Sequence, residues 1–575
     1  MFKRQHKPFN LSLLFLGLLY WAFLWIRAFQ NPLVFDEATS FFSYIQSGNF
    51  WPGSAYWSAN NHFLNSLLSH LVYRLGGMDE WLLRLPNLLA FPLFYGYAWR
   101  FLAHFKNREL VVVGLLTLLA AGYPMEFFAY SRGYGLMFAF MMAAAYHIQQ
   151  LEAKGKLSSS WRFLLFASLG ILSNLSWLPL LGFLSLMHIY VLWRKNHSVK
   201  TYLLFALNLI PIAYALWMSF ELKAHQQLYY GSQNGFLQDS IGSLIQVDFG
   251  LIPIFLFQIF ILILAWIKRD QISQPFAWFW ALSYWLIPLF YILGHWLIDL
   301  NFPFDRGLMY WSFWALISAL PLASQIWQKA YLGRAYWILA CFIPLWFLSP
   351  RISLNHSLAR SWSKEQIPDS FYQSLADQEV QSLSGSYLLA PQWNYLQVKN
   401  GAAIPAFQKS ENIASQFRLS FAPLRLSPKY DLIATSPSEN LFLLQRKENL
   451  FWTNSSHGSI RNLSNHQEGK QLFEWTKDSI PQALQLQLNI QSPEALHKLA
   501  IAFQSFDEDG NSIAFEAYEA RHYLSPKAGW QEWRLFVVLG TVAPETERMK
   551  VFIWNPHSET FSLKDAQWRT LRNAN

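Results

Sequence analysis

The chain has 575 residues, of which 53% are hydrophobic, 18% aromatic and 14% charged, with a formal net charge of +9. Soluble globular chains carry about 25% charged residues, so this composition excludes an ordinary soluble enzyme, and it is too apolar for disorder. The single cysteine, Cys341, excludes an intrachain disulfide and a cysteine-based zinc cluster.

Residues 1–350 hold 22 Lys+Arg against 13 Asp+Glu, whereas residues 351–575 hold 22 of each. The excess therefore lies in the hydrophobic part, where basic residues report orientation across a bilayer. It forms no stripe on a soluble face, which argues against nucleic acid as a partner. A bilayer-spanning helix needs roughly 20 apolar residues. That length predicts spans near 9–29, 80–99, 110–126, 134–150, 162–174, 176–193, 201–220, 249–267, 276–298, 307–326 and 335–349. The first follows a basic stretch like a signal-peptide n-region, but its apolar run is too long and lacks a small-residue cleavage site, so it reads as an anchor. Trp161 to Trp193 has basic groups at both ends, which predicts a hairpin of two short helices broken near Ser173-Asn174. With this alternation 16 of the 22 basic residues face the cytoplasm, and Arg27, Arg74, Arg84, Arg132, Lys223 and Arg306 face outward. The N-terminus is then cytoplasmic and the C-terminal part extracytoplasmic, in a cell membrane that fits a bacterial inner membrane.

The outward loops carry the polar chemistry. Asp36 and Glu37 follow the first span amid apolar residues. Partial desolvation there would raise a carboxylate toward the range of a general base. The plainer reading makes Asp36 the N-cap of a short helix. Next comes Asn60-Asn61-His62-Phe-Leu-Asn65, opening an apolar pattern at helical spacing. Between the third and fourth spans lies Glu126-Phe-Phe-Ala-Tyr130-Ser131-Arg132-Gly-Tyr134. An arginine fork held there suits a phosphate or carboxylate. The alternatives are a snorkelling arginine and a pair with Glu126. Lys223 and His225 stand in the long outer loop, and Arg306 opens the tenth span. A cation at a helix start is misplaced against the macrodipole unless an anion, or Asp305, accompanies it.

Past about residue 350 the pattern turns to short alternating runs. Tyr387–Ala390, Asp431–Thr435 and Leu441–Gln445 read as strands of a small α/β unit. Residues 470–575 read as a β-sandwich whose clearest strand is Leu484–Ile490, with strict alternation. Further strands fall at 499–503, 512–517, 533–538 and 550–554. Asp507-Glu-Asp-Gly-Asn511 is similar to the start of a calcium loop, but a hairpin turn fits it better. Trp530, Trp533, Trp554 and Trp568 could stack on sugars, although core positions are the default. Asn454-Ser-Ser456 and Asn462-Leu-Ser464 match the glycosylation acceptor pattern.

Phe35-Asp36-Glu37, Asn60–Asn65, the run Gly77-Met-Asp-Glu-Trp-Leu-Leu-Arg-Leu-Pro-Asn87 and Tyr130-Ser-Arg-Gly-Tyr134 occur in this order. In that order they resemble the membrane glycosyltransferases of the C superfamily, in the protein-mannosyltransferase and aminoarabinose-transferase-like branch. The resemblance covers roughly residues 1–350. It implies a polyprenyl-phosphate-linked sugar donor and transfer to a hydroxyl acceptor on the outer face. It further implies Asp36, with Glu37, as the catalytic carboxylate. Arg132 and Arg306 would hold the donor phosphate, and His62 would line the cavity; beside them, Tyr134 is a further candidate for the phosphate, and Asn61, Tyr130 and Lys223 for the cavity wall. No cofactor is implied, and a divalent metal near Asp36, Glu37 and His62 has weak support from spacing.

The expected fold is a polytopic α-helical membrane protein of about eleven spans. A soluble extracytoplasmic part follows, made of a small α/β unit and a jelly-roll-like sandwich. The expected domains are 1–350, 351–450 and 451–575. Two other functions remain open: a glycolipid transporter or flippase, and a non-catalytic anchor for a carbohydrate-binding sandwich. The absence of internal repeats, and the ionisable residues at the outer ends of the spans, favour transfer chemistry over transport.

Overall fold

The computed structural model describes residues 7–326 and 353–573, less internal stretches of at most seven residues. They divide into two compact units. The first comprises residues 1–30 and 48–360, the second residues 31–47 and 361–575.

The first unit is helical. Helices occupy ten of the eleven expected segments: α1 Lys7–Gln30, α4 Glu80–Ala103, α5 Arg108–Ala120 with α6 Gly122–Glu126, α7 Tyr134–Lys154, α8 Leu157–Ser173, α9 Leu178–Lys195, α10 Val199–Ala224, α12 Leu251–Ile267, α13 Phe276–Ile298 and α14 Met309–Ile326. The remaining segment, 335–349, lies outside the described residues. Among the described helices, 9–30, 175–195, 200–224 and 276–298 are long and apolar enough to cross a membrane, and the α5–α6 pair would make a fifth. Among the described residues, two shorter helices also belong to this unit, α3 Phe63–Gly76 and α11 Gly242–Val247.

One expected span differs from its prediction. The 110–126 segment is not straight. Asn107 caps α5 by accepting from the Glu109 and Leu110 N–H groups. The helix then stops at Ala121, whose ψ of 72° leaves the helical region, and the following helical stretch turns away by 72°. Apolarity alone carries no information about such a break. The hairpin expected in 161–193 is present: α8 ends at Asn174, in extended conformation, and its side chain accepts from Ser176 N–H before α9 begins.

The second unit begins with α2, Phe35–Ser40, which continues into a π-helical turn over Phe41–Ile45. Its remaining helices are α15 Arg360–Glu365, α16 Asp369–Ala376 and α17 Ala390–Asn400. They accompany a five-stranded sheet of β1 Leu383–Gly385, β2 Phe407–Gln408, β3 Phe417–Ser420, β4 Tyr430–Thr435 and β5 Phe442–Arg446, ordered β2-β1-β3-β5-β4. β1 runs parallel to both neighbours, and β5 runs antiparallel to β3 and β4. Phe371, Leu383, Trp393, Phe417 and Leu443 share its buried core. The Tyr387–Ala390 strand expected from sequence is instead a 3-10 turn leading into α17. The Ser386 hydroxyl accepts from Leu388 N–H, and Pro391 sits where a helix start tolerates a missing donor.

Two four-stranded antiparallel sheets follow. The strands are β6 Trp452–Leu463, β7 Gly469–Thr476, β8 Ala483–Ser492, β9 Ala500–Phe506, β10 Ser512–Glu519, β11 Gly529–Val538, β12 Arg548–Trp554 and β13 Ser562–Asn573. One sheet is ordered β10-β9-β12-β7 and the other β11-β8-β13-β6. Leu484, Leu486, Leu488 and Ile490 of β8 share a core with Ile501 and Phe503 of β9 and Val551 and Ile553 of β12. The period-2 alternation read in β8 thus points one face inward against the opposite sheet. Asp507–Asn511 is the turn between β9 and β10. The Asp507 carboxylate accepts from the Asn511 side-chain amide at 3.1 Å and from the Asn511 N–H at 2.7 Å, which pulls its pKa down. Trp533 is a core residue, Trp568 packs against the core, and Trp530 is exposed.

Candidate functional site

Three of the four motif segments meet through buried amides and hydroxyls. Asn87, on α4, donates to Asn65 Oδ1 on α3 at 2.6 Å, and its own Oδ1 accepts from the Leu136 N–H in the first turn of α7 at 3.1 Å. Asn65 Nδ2 reaches Ser131 Oγ at 3.4 Å, and Ser69 Oγ lies 3.2 Å from the same hydroxyl while donating to the Leu83 carbonyl. All four side chains are buried. Buried polar atoms are costly unless paired, so this network fixes the segment that leads into α7. The residue that follows Ser131 is Arg132.

Arg132 is buried, and its guanidinium donates to the Asn60 side-chain oxygen. Gly133 follows with φ −62° and ψ −2°, and Tyr134 opens α7. Gly133 is needed for space: a Cβ there would lie 1.8 Å from the Ser173 carbonyl oxygen and 2.9 Å from His62 Cβ. Gly135 is similarly confined, at 2.9 Å from Asn87 Oδ1. The small residues of Ser131-Arg132-Gly133-Tyr134-Gly135 therefore let α4, α7 and the α8 terminus close around one arginine.

His62 lies at the head of α3 and its ring stands edge-on to Tyr134 at 5.2 Å. It is held neutral, well below its usual pKa. Burial is the main cause, and the Arg132 and Arg306 guanidinium groups add to it, against a hydrogen bond to the Ser173 backbone. Arg132 and Arg306, 174 residues apart in sequence, thus both act on one imidazole. Arg306 is half-buried in the turn before α14. That turn is held by Ser243, whose hydroxyl accepts from Asp305 N–H at 2.9 Å, and by Ser240, which donates to the Pro303 carbonyl.

A cavity of about 270 Å³ adjoins these groups. Asn61, His62, Tyr134, Ser173, Asn174 and Lys223 supply its polar wall, and α8, α9, α10 and α13 supply apolar side chains. Gly307, next to Arg306, also lines it. The Lys223 ammonium donates to the Ile298 carbonyl. Asn61 donates to the Phe50 carbonyl and accepts from Ser66 Oγ.

Other expected residues fall elsewhere. Tyr130 is buried beneath Arg84, whose guanidinium lies 5.3 Å over its ring and donates to the Ala28 carbonyl. Glu126 pairs with Arg27 at 2.8 Å, both about 1% exposed, and also accepts from Ser357. His225 stacks on Trp57 at 4.9 Å. Asp36 and Glu37 belong to the second unit, both buried on α2. Asp36 is not the N-cap; Val34 occupies that position, and the Glu37 carboxylate folds back to accept the Val34 N–H at 3.2 Å. Among the described residues no group of three or more His, Cys, Asp and Glu side chains gathers as a metal site would require. From sequence, Asn87, Ser69, Ser173 and Asn174 carried no site role; an amide in an otherwise apolar helix was the available signal for Asn87.

No protein-family profile and no curated protein matches the chain. Among solved structures, it is similar to the arabinosyltransferase EmbB from Mycobacterium smegmatis, at 10% identity and a TM-score of 0.39, over 97% of this chain and 64% of that one. The chain thus spans about two thirds of the length of EmbB. It is also similar to ArnT from Cupriavidus metallidurans, at 13% identity over 76% of this chain and 98% of that one. The TM-score is 0.43 for ArnT bound to undecaprenyl phosphate and 0.42 for its apo state.

Proposed function

We propose that the chain is a membrane glycosyltransferase that moves a sugar from a polyprenyl-phosphate donor to a hydroxyl acceptor on the outer face, inverting the anomeric configuration. The observation that carries this reading is the joint action of Arg132 and Arg306 on His62 beside a largely apolar cavity. Each arginine precedes the first turn of a long helix, α7 or α14, where the helix dipole favours an anion. Guanidinium forks at such a place suit a phosphate, and apolar walls suit a prenyl chain. A neutral His62 adds hydrogen-bonding capacity without cancelling charge.

In the reaction, the acceptor oxygen attacks the anomeric carbon as the carbon–oxygen bond to phosphate breaks. Asp36 takes the acceptor proton, with Glu37 beside it in sequence, and the phosphate leaves with the bonding pair. Positive charge grows on the sugar ring, as in glycoside hydrolysis. Arg132 and Arg306, with Tyr134, stabilise the charge growing on the phosphate, which is where fixed donors contribute most. His62, Asn61 and Lys223 contact the sugar or phosphate from the cavity wall, with Tyr130 behind Arg132 in the chain. No cofactor is required, because the lipid phosphate is already a leaving group.

We further read eleven spans with a cytoplasmic N-terminus, in a bacterial inner membrane, and three domains over 1–350, 351–450 and 451–575. The two sheet orders are those of interlocked Greek keys, which supports a jelly roll. The test uses purified protein with a panel of undecaprenyl-phospho-sugars, scoring release of undecaprenyl phosphate and the anomer formed. Asp36→Asn should abolish turnover while undecaprenyl phosphate still binds. Near-normal turnover by that variant, or retention of configuration, would overturn the assignment.

A further inference from the structure

The segment that carries Asp36 folds with the soluble part of the chain. Residues 31–47 leave the helical unit after α1 and rejoin it at Gly48, and in between they belong to the second compact unit. Within that unit they are gripped on both sides of Asp36. Before it, Gln366 Nε2 donates to the Pro32 carbonyl at 3.1 Å. After it, the Phe41 ring meets Tyr395 of α17 edge-on at 5.2 Å, and the Phe42 ring meets His522 edge-on at 4.6 Å. Arg521 donates through Nη1 to the Phe42 carbonyl at 2.9 Å, across 479 residues of sequence. Its Nε lies 2.5 Å from the Glu519 carboxylate, with the Arg521 side chain 14% exposed. Glu519 thus aims the guanidinium, and the guanidinium holds the backbone.

The held carbonyl is in the π-helical turn 41–45, which continues α2 without a loop. In a π turn the hydrogen-bonding pattern shifts, as with Gln46 N–H donating to the Phe41 carbonyl, and such turns are weaker than α-helix. An external donor is therefore well placed to fix the turn. A helix six residues long has little stability of its own, so its direction follows from its anchors.

We infer that Arg521, with Tyr395 and Gln366, is a positioning residue for Asp36, so that the C-terminal soluble part is a working component of the transferase. This rests on the proposed role of Asp36 as base. The soluble part then sets the direction of the helix that carries the catalytic carboxylate, and anything that binds or shifts the β10–β11 connection would act on transfer through Phe42.

The test uses the full-length protein in detergent. Amide hydrogen exchange is followed in Arg521→Ala, Arg521→Lys and the milder Gln366→Ala, with undecaprenyl phosphate as the binding probe. In Arg521→Ala the amides of 35–46 should exchange about tenfold faster or more, while those of β8 and β13 keep their protection. Arg521→Lys, which retains one donor, should fall between, and Gln366→Ala should loosen 33–37. Undecaprenyl phosphate affinity should stay within about twofold of wild type, and kcat should fall with donor KM unchanged. Wild-type protection of 35–46 in Arg521→Ala, or a parallel loss of undecaprenyl phosphate affinity, would overturn the inference. Should Arg521→Ala fail to fold, Gln366→Ala and Arg521→Lys decide by the same criterion. The two readings fail separately. Normal turnover by Asp36→Asn removes the base while the exchange result stands; a dead Asp36→Asn beside an Arg521→Ala with normal protection and kcat removes the anchor alone.

Discussion

Gly133→Ala isolates the packing that presents Arg132. The native φ of −62° is one that any residue adopts, so the substitution brings no backbone strain. Elsewhere, alanine in place of glycine at such an angle stabilises by about 0.4–1 kcal/mol, because the unfolded chain loses freedom. Here the new methyl would sit 1.8 Å from the Ser173 carbonyl oxygen and 2.9 Å from His62 Cβ. An ordinary contact needs about 3.4 Å or more, so the α8 terminus and the Arg132 segment must part by roughly 1.5 Å. The carbonyl belongs to backbone at a helix end and cannot rotate away as a side chain would. Overpacking of this kind costs about 1–3 kcal/mol. A displacement of that size at Arg132 and His62 should also weaken phosphate binding, and misplacement by about 1 Å can lower turnover about a hundredfold. Thermal unfolding in detergent reads the first effect and titration with undecaprenyl phosphate the second. A Gly133→Ala protein as stable as wild type, with unchanged lipid-phosphate affinity, would refute the packing argument, because the sign of the stability change would be that of an unconstrained glycine.

Three further outcomes follow from the same unit. Asn87→Ala strands the Leu136 N–H and the Asn65 side-chain oxygen, and should lower stability by about 2–4 kcal/mol in equilibrium or thermal unfolding. His62 is neutral when folded and takes a proton when unfolded below its ordinary pKa of 6.5, so stability should be lost as pH falls below 6.5. His62→Gln should flatten that acid limb of the Tm profile, and binding of undecaprenyl phosphate to wild type should raise the His62 pKa, visible as proton uptake. Glu126→Gln leaves Arg27 buried without its carboxylate and should cost about 3–5 kcal/mol, whereas Arg27→Met with Glu126→Leu should cost distinctly less in the same unfolding assay.

The helical unit was largely legible because bilayer length and apolar composition act locally. Ten expected segments are helices for that reason. The bend at Ala121 was not legible, since a broken and a straight apolar run have the same composition. In the β-rich C-terminal part, β8 to β12 were read from short alternating runs. β1 and β2 escaped because three and two residues are too few to alternate. Tyr387–Leu389 misled because its residues suit a strand, while Ser386 and Pro391 set a helix start. At the site, Arg132, Arg306 and His62 stood out as polar residues at the outer ends of apolar runs, and the structure brings them together. Partner choice was not legible. Glu126 lies six residues from Arg132 in sequence yet pairs with Arg27, 99 residues away, and the anchors of α2 come from residues 366, 395 and 521–522.

The electrostatics explain why the polar scaffold around Arg132 is built from amides and hydroxyls. Three buried arginines of the helical unit, Arg27, Arg84 and Arg132, are treated differently. Arg27 is matched by a buried carboxylate, and Arg84 is spent on a carbonyl and the Tyr130 ring. Arg132 is held by an amide oxygen, and Asn65, Asn87 and Ser69 fix the preceding serine. An amide orients a guanidinium without cancelling its charge, whereas a carboxylate at ion-pair distance would leave little field for a ligand. The state of His62 reflects the result. Burial alone would disfavour its proton, and the Arg132 and Arg306 charges add to that effect, which requires a positive potential at the imidazole. The same potential that repels a proton attracts a phosphate. A low-dielectric wall strengthens both effects, so under the proposed function an arginine oriented by an amide oxygen keeps its field for an anion.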